Sequence, residues 1–142
     1  MHGAAVNDGA AVNGSIQAAL MNLVAWVALG VAGIVPGATE APNLAISVVV
    51  ASAFGVVAAR VVAGRFSGLG ARRRWDRVAL VVLILSLASP IGLAAGLAPI
   101  NFAAPSDPTY ESFRTGIALV YALMHISTYA VVQRTVAQQV PR

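Results

Sequence analysis

Four stretches of this chain are apolar for long enough to cross a lipid bilayer. They cover residues 16–35, 44–64, 78–97 and 116–132, and their only charged residue is Arg60, near the end of the second stretch. A transmembrane helix needs about 20 apolar residues, within a range of about 17–25. Because a chain in lipid must satisfy its backbone hydrogen bonds internally, each stretch is predicted to be a helix. We therefore expect an all-α integral membrane bundle of four transmembrane helices.

The composition agrees with a protein that lies in a membrane. The chain is 58% hydrophobic and 10% charged, whereas a soluble domain carries roughly 25% charged residues. In water it would expose more apolar surface than soluble monomers normally do. The chain has no cysteine, which excludes disulfides and thiolate metal sites.

The four stretches divide the chain into one membrane domain and two tails. Residues 1–14 are small and polar and repeat the run Gly-Ala-Ala-Val-Asn, so we predict a disordered tail. The membrane domain is expected to cover residues 15–134, and residues 135–142 form the second tail. The first stretch is too long, and its leading flank too poor in basic residues, for a signal peptide.

The arginines are distributed unevenly between the two predicted sides. Eight of the nine lie at the loop between the second and third stretches or in the carboxyl tail: Arg60, Arg65, Arg72, Arg73, Arg74, Arg77, Arg134 and Arg142. By the positive-inside rule this side, which carries both termini, is predicted to be cytoplasmic. The alternative role for the arginine cluster is to bind anionic lipid or a partner. Trp75, beside the cluster, is predicted to be an interfacial anchor.

Small residues indicate where helices approach closely. In the second stretch they recur at every fourth position and so lie on one helix face: Ala51, Gly55, Ala59 and Ala63. Gly92 and Gly96 repeat this spacing in the third stretch. These faces are predicted to seat helices, within one chain or between chains. Pro90 removes a backbone hydrogen bond and is predicted to kink the third helix.

A few polar residues fall within the apolar stretches. Those singled out here are Asn22, Ser86, Ser89, His125 and Tyr129. A polar side chain facing lipid loses its hydrogen bonds, so we predict one layer inside the bundle. Comparable depths pair His125 with Ser86, and Asn22 with Tyr129 or His125.

Two roles for His125 are open. It could serve as a proton relay or contact a ligand, or it could be a neutral residue that holds helices together by hydrogen bonds. A zinc site needs about three protein ligands, so no metal site is expected.

The other chemical patterns are weak or absent. No carboxylate lies in any apolar stretch, which disfavours a proton-coupled exporter. No Gly-x-Ser-x-Gly sequence surrounds a serine, and no intramembrane acid orients His125. We expect no catalytic residues and no cofactor.

Three fragments occur in order in the first, third and fourth stretches: Asn-Leu-Val-Ala-Trp at 22–26, Leu-Ser-Leu-Ala-Ser-Pro at 85–90 and Ala-Leu-Met-His at 122–125. Their order resembles a family of small four-span bacterial membrane proteins known only as a domain of unknown function. The resemblance covers residues 20–132. It implies a protein of the bacterial plasma (inner) membrane and a shared role for Asn22, Trp26, Pro90 and His125. The resemblance implies no particular biochemical activity.

These observations favour a non-enzymatic role, as a small accessory or structural membrane subunit. A transporter or channel subunit with a polar path at His125 is one alternative, and a membrane enzyme or lipid-binding protein is another. The expected partners are the bilayer and either a second copy or another membrane protein. Nucleic acid is not expected, since the basic residues serve topology.

Overall fold

The computed structural model describes residues 8–98, 100 and 108–142. Within them the regular structure is helical, with no strand. Four segments are long and apolar enough to cross a membrane: Gly9–Val31, Pro42–Ala63, Ala71–Ala94 and Tyr110–Gln139. The prediction of an all-α bundle with four membrane-spanning segments is therefore confirmed.

The described part of the chain contains five α-helices and two short 3₁₀-helices, joined by turns and loops. The α-helices are α1 (Asp8–Val31), α2 (Pro42–Ala63), α3 (Ala71–Ser86), α4 (Ala88–Ala94) and α5 (Arg114–Thr135). The 3₁₀-helices are Pro108–Phe113, before α5, and Ala137–Gln139, after it. Together α3 and α4 form the third spanning segment.

The first helix begins earlier than predicted. Residues 8–14, which we expected to be disordered, belong to α1, while residues 1–7 of that tail lie outside the described residues. Gly14 lies close to two neighbouring helices, because a Cβ there would lie 2.8 Å from Thr135 Oγ1 and 3.2 Å from Val56 Cγ1. Glycine thus lets this part of α1 pack against α2 and α5.

The same helix ends earlier than predicted, at Val31 rather than residue 35. Gly33 has a positive φ of 71°. Its N–H donates to the Gly30 carbonyl at 3.0 Å, and the N–H of Ile34 donates to the Leu29 carbonyl at 2.9 Å. This is a Schellman motif, which stops the helix where the chain has a residue without a Cβ.

The bundle has a closely packed core of three helices. α1, α2 and α5 each contact the other two, whereas α3 and α4 pack mainly on α5 and α3 hardly contacts α2. One buried cluster, around Trp26, Leu44 and Ile117, joins α1, α2, α4 and α5. A second cluster, around Trp75 and Val131, lies at the end that carries most arginines, here called the arginine-rich end.

The third spanning segment is interrupted at Leu87, three residues before Pro90. Proline has no N–H to donate to the carbonyl of Ser86, so the hydrogen-bond ladder is broken there. The N–H of Leu87 still bonds the Leu83 carbonyl, and that of Ile91 bonds the Leu87 carbonyl, each at 3.1 Å. The Ser86 hydroxyl donates to the Leu83 carbonyl at 2.7 Å, so it does not replace the lost bond.

The outer surface of the bundle is apolar. Phe54 is 70% exposed and Leu85 is 68% exposed, and many other aliphatic side chains point outward with them. A contiguous apolar surface of this kind is incompatible with a soluble monomer and suits contact with acyl chains. The fold is that of a multi-pass membrane protein.

Candidate functional site

Asn22 is the centre of a buried hydrogen-bond network that joins three helices. Its side chain is 3% exposed. Its Nδ2 donates to Ser52 Oγ at 2.8 Å, and its Oδ1 accepts from Ser127 Oγ at 2.6 Å. The Ser52 hydroxyl donates in turn to the Val48 carbonyl at 2.6 Å. A longer contact of 3.4 Å joins Asn22 Nδ2 to Thr128 Oγ1.

These partners differ from the predicted ones. We expected Asn22 to pair with Tyr129 or His125, but the structure pairs it with Ser52 and Ser127. Depth along the membrane normal was the basis of that prediction, and it leaves the rotation of α5 about its axis undefined. In the structure that rotation turns Ser127 toward α1 and leaves His125 and Tyr129 on the face toward α3.

The face of α5 toward α3 borders an intramembrane cleft with a volume of about 310 Å³. The cleft lies between α2, α3 and α5, where α3 stands away from α2. Its lining residues are Ala51, Phe54, Gly55, Ala58, Ala59, Val62, Trp75, Val78, Ala79, Val82, Leu83, Ser86, Met124, His125, Thr128, Tyr129 and Val132. Most of them are apolar, and several on α2 are small, which leaves the space unfilled.

The cleft brings Ser86 and His125 together without joining them by a hydrogen bond. Ser86 donates to its own helix. In the part of the chain that the structure describes, neither His125 nor Tyr129 forms a hydrogen bond. Ser89, the fifth residue of the predicted polar layer, is exposed on α4 and does not line the cleft.

The arginine-rich end of the cleft is closed by two aromatic side chains. Trp75 lines the cleft and meets Phe66 edge to face, with ring centroids 5.8 Å apart and planes at 78°. Trp75 is 2% exposed. It therefore packs inside the bundle and does not act as the interfacial anchor that we predicted.

The predicted small-residue face of α2 lies partly against α5 and partly on the cleft. A Cβ at Gly55 would lie 3.1 Å from Thr128 Cγ2, so glycine allows α2 and α5 to approach closely. Ala51 and Ala59 line the cleft, and Ala63 is buried in the cluster at the arginine-rich end.

The glycines of the third segment do not contact a neighbouring helix. A Cβ at Gly92 or Gly96 meets no atom within 4 Å, and Gly96 lies beyond the end of α4 with a φ of 74°. A close approach that the sequence analysis missed occurs at Gly116, where a Cβ would overlap the backbone carbonyl of Ile34. Gly116 is an isolated glycine, so spacing did not mark it.

Two arginines of the predicted basic cluster hold local structure. Arg72 Nε pairs with Asp76 at 3.0 Å, and its Nη1 donates to the Ala137 carbonyl at 2.7 Å. The side chain of Arg74 donates to the carbonyls of Ser67 and Leu69, at 2.8 and 3.3 Å. These two guanidinium groups are thus engaged within the chain, which weakens the alternative of a lipid-phosphate site there.

At the opposite end of the bundle, Arg114 joins α5 to the end of α4. Its Nη1 donates to the carbonyls of Leu93 and Ala98 at 3.1 and 2.9 Å. The same guanidinium forms a two-pronged pair with Glu111, at 2.7 and 2.8 Å. No role was predicted for this arginine, because only the fold brings the carbonyls to it.

The described residues contain no group of three or more His, Asp or Glu side chains that could hold a metal ion. No family model, no curated protein and no solved structure matches this chain. The resemblance to a domain of unknown function therefore stays a prediction.

Proposed function

We propose that this protein binds an apolar, chain-like membrane molecule, such as the acyl or isoprenoid chain of an amphiphile, in the cleft between α2, α3 and α5. The observation that carries the proposal is the cleft itself, an apolar space of about 310 Å³ within the spanning segments. That volume lies at the lower end of the range of small-molecule sites, about 300–1,000 Å³.

The shape of the cleft favours a hydrocarbon chain. Its lining on α3 runs from Trp75 to Ser86, a rise of about 16 Å at 1.5 Å per residue. A volume of only about 310 Å³ over that length makes the cleft narrow. An α-helix with side chains is about 10–12 Å across, so a partner helix is too thick to enter, whereas a single hydrocarbon chain is slim enough.

The ligand would enter sideways from the bilayer. The scarcity of contact between α2 and α3 leaves a lateral gap between them, bordered by the exposed side chains of Phe54 and Val82. The closure by Phe66 and Trp75 argues against entry from the arginine-rich end. Such access suits a molecule dissolved in the membrane and disfavours a water-soluble solute that crosses it.

We also propose that the protein lies in a bacterial plasma membrane with both termini in the cytoplasm. A contact between the carboxyl tail and the start of α3 supports a location of both on the same side of the membrane. The N–H of Arg72 donates to the Pro141 carbonyl at 2.9 Å. The amino-terminal part of α1 joins them there through the contact of Gly14 with Thr135. The positive-inside rule then assigns this side to the cytoplasm.

Photolabelling in nanodiscs tests the binding proposal. The probe is a 16-carbon alkane with a diazirine in mid-chain, and labelled peptides are identified by mass spectrometry. We expect labelling to concentrate on buried cleft residues such as Met124 and Val132. The double variant Ala58→Leu, Ala79→Leu adds six carbon atoms to the walls and should abolish that labelling. Ala130→Leu, on an exposed position of α5 outside the cleft, should not.

Other outcomes would identify the alternative functions. Labelling spread evenly over the outer faces of α2 and α3, and unchanged in the double variant, would refute the binding proposal. A reproducible additional protein mass in native mass spectra would then favour the accessory subunit that the sequence analysis ranked first. Reaction of Ser86→Cys with a water-soluble thiol reagent would instead favour a transporter or channel, because it requires water in the cleft.

A further inference from the structure

We infer that the ligand of this cleft carries a compact, uncharged hydrogen-bonding group, a hydroxyl or a carbonyl, which lies beside His125. This inference rests on the proposed function, since it names the kind of molecule that fills the same cleft. It starts from the uneven distribution of polar groups along the cleft walls.

The two ends of the cleft differ in polarity. At the arginine-rich end Val62 and Val132 are apolar, and Trp75 contributes its indole ring, whose Nε1 has no hydrogen-bond partner among the described residues. The other end, about 16 Å away along α3, carries His125 and Ser86. A molecule that matches both ends has an apolar chain directed toward Trp75 and a polar group at the level of His125.

Among the described residues His125 has no hydrogen-bond partner. A neutral imidazole has one donor and one acceptor nitrogen, and within the described residues this imidazole has a partner for neither. Thr128 accepts from Asn22, and the Ser86 hydroxyl donates its proton to its own helix, so each of these neighbours has one hydrogen bond within the protein. Tyr129, which follows by one turn on the same wall, offers a second hydroxyl to the cleft.

The depth of His125 restricts the polar group to an uncharged one. His125 lies 11 residues after Arg114 and 9 before Arg134, which places it about 16 Å and 14 Å from them along α5. Since the hydrocarbon core is about 30 Å thick, His125 is close to its middle. A phospholipid keeps its charged headgroup at the interface, and a charged group at the midplane is costly. A hydroxyl or carbonyl can lie there if it is hydrogen-bonded.

Competition with the alkane photoprobe tests this inference. Hexadecan-1-ol, hexadecane and palmitate are compared at equal mole fractions in the nanodisc membrane, and each is scored by its ability to suppress labelling of the cleft. One hydrogen bond contributes about 1 kcal/mol net, so the alcohol should compete about 5-fold better than the alkane. It should also compete better than palmitate, whose carboxylate is drawn to the interface.

Two variants assign the preference to His125. His125→Phe should still bind the alkane probe but should lose the preference for the alcohol. Ser89→Ala is the matched control and should keep the preference, because Ser89 is exposed on α4 and does not line the cleft. Thermal unfolding in the same nanodiscs verifies that each variant is folded.

The possible failures are distinguishable. Equal competition by alcohol and alkane in the unmodified protein, or a preference that survives in His125→Phe, would overturn this inference and leave the proposed function standing. Stronger competition by palmitate than by the alcohol would overturn the uncharged headgroup. Absence of any labelling in the cleft would overturn the proposed function and this inference with it.

Discussion

Replacing Asn22 with alanine is expected to lower the free energy of unfolding by about 2 kcal/mol. The substitution removes two short interhelical hydrogen bonds, from Nδ2 to Ser52 and from Ser127 to Oδ1, at 2.8 and 2.6 Å. In membrane proteins such bonds average about 0.6 kcal/mol and reach about 1.7 kcal/mol each. The two bonds therefore contribute roughly 1–3 kcal/mol. The Ser127 hydroxyl keeps the Met124 carbonyl as an acceptor at 3.1 Å, so the loss is expected near the middle of that range.

A double-mutant cycle separates this network from the pairing expected from depth alone. Asn22→Ala and Ser127→Ala, measured singly and together by reversible unfolding in mixed micelles, should show a coupling energy of about 0.6–1.7 kcal/mol. The matched control is the cycle of Asn22→Ala with Tyr129→Phe, which should show coupling near zero. Tyr129 has a similar depth to Asn22 but lines the cleft on the face toward α3.

The outcome decides between two rotations of α5. Coupling to Tyr129 with none to Ser127 would mean that the helix is rotated and that the assignment of His125 to the cleft is mistaken. Coupling to neither residue would mean that Asn22 reaches other partners, and the three-helix network would be refuted. Each variant removes a single side-chain group, so a measured coupling energy can be assigned to that pair of groups.

Three further changes test the packing. Gly116→Ala should destabilise the bundle by about 1–3 kcal/mol, since its Cβ would overlap the Ile34 carbonyl. Gly92→Ala, with open space around it, should be neutral or stabilising. A similar loss of unfolding free energy in both variants, measured by unfolding titrations, would contradict this prediction. Pro90→Ala restores an N–H and should join α3 to α4, seen as slower amide hydrogen exchange around residue 90; unchanged exchange would mean that tertiary contacts impose the break. Arg114→Gln should speed amide hydrogen exchange in α4, because the side chain would no longer donate to the Leu93 carbonyl near the end of that helix. Unaltered exchange would show that this contact does not stabilise α4.

The sequence was most informative where a property is local to one stretch of chain. Hydrophobicity over about 20 residues is enough to predict a spanning helix, whatever its neighbours are. The break before Pro90 follows from a missing N–H in that proline. The predicted end of the first helix was wrong by four residues, although the motif that stops it depends only on Gly33 and the turn before it.

Contacts between helices were harder to predict. Ser52 and Ser127 stand in apolar stretches and could be recognised as polar candidates, but the depth comparison favoured Tyr129 and His125 as partners of Asn22. At 1.5 Å of rise per residue, depth separates positions along the axis, whereas each residue also turns the side chain by about 100°. The facing direction depends on how all the helices pack together, which no single stretch specifies.

The sequence by itself determined that this is an all-α protein with four membrane-spanning segments and that its arginines gather at one end. Lipid imposes that outcome, because a long apolar segment must form its hydrogen bonds within its own helix. Only the tertiary structure decided that Asn22 joins three helices, that Gly116 lies against the Ile34 carbonyl, and that His125 borders a cleft. A cleft is a space that side chains leave unfilled, so it depends on where α3 stands relative to α2. Contacts at the two ends of the third spanning segment hold it in that position: Trp75 of α3 meets Phe66, and Leu93 of α4 lies in the cluster with α5.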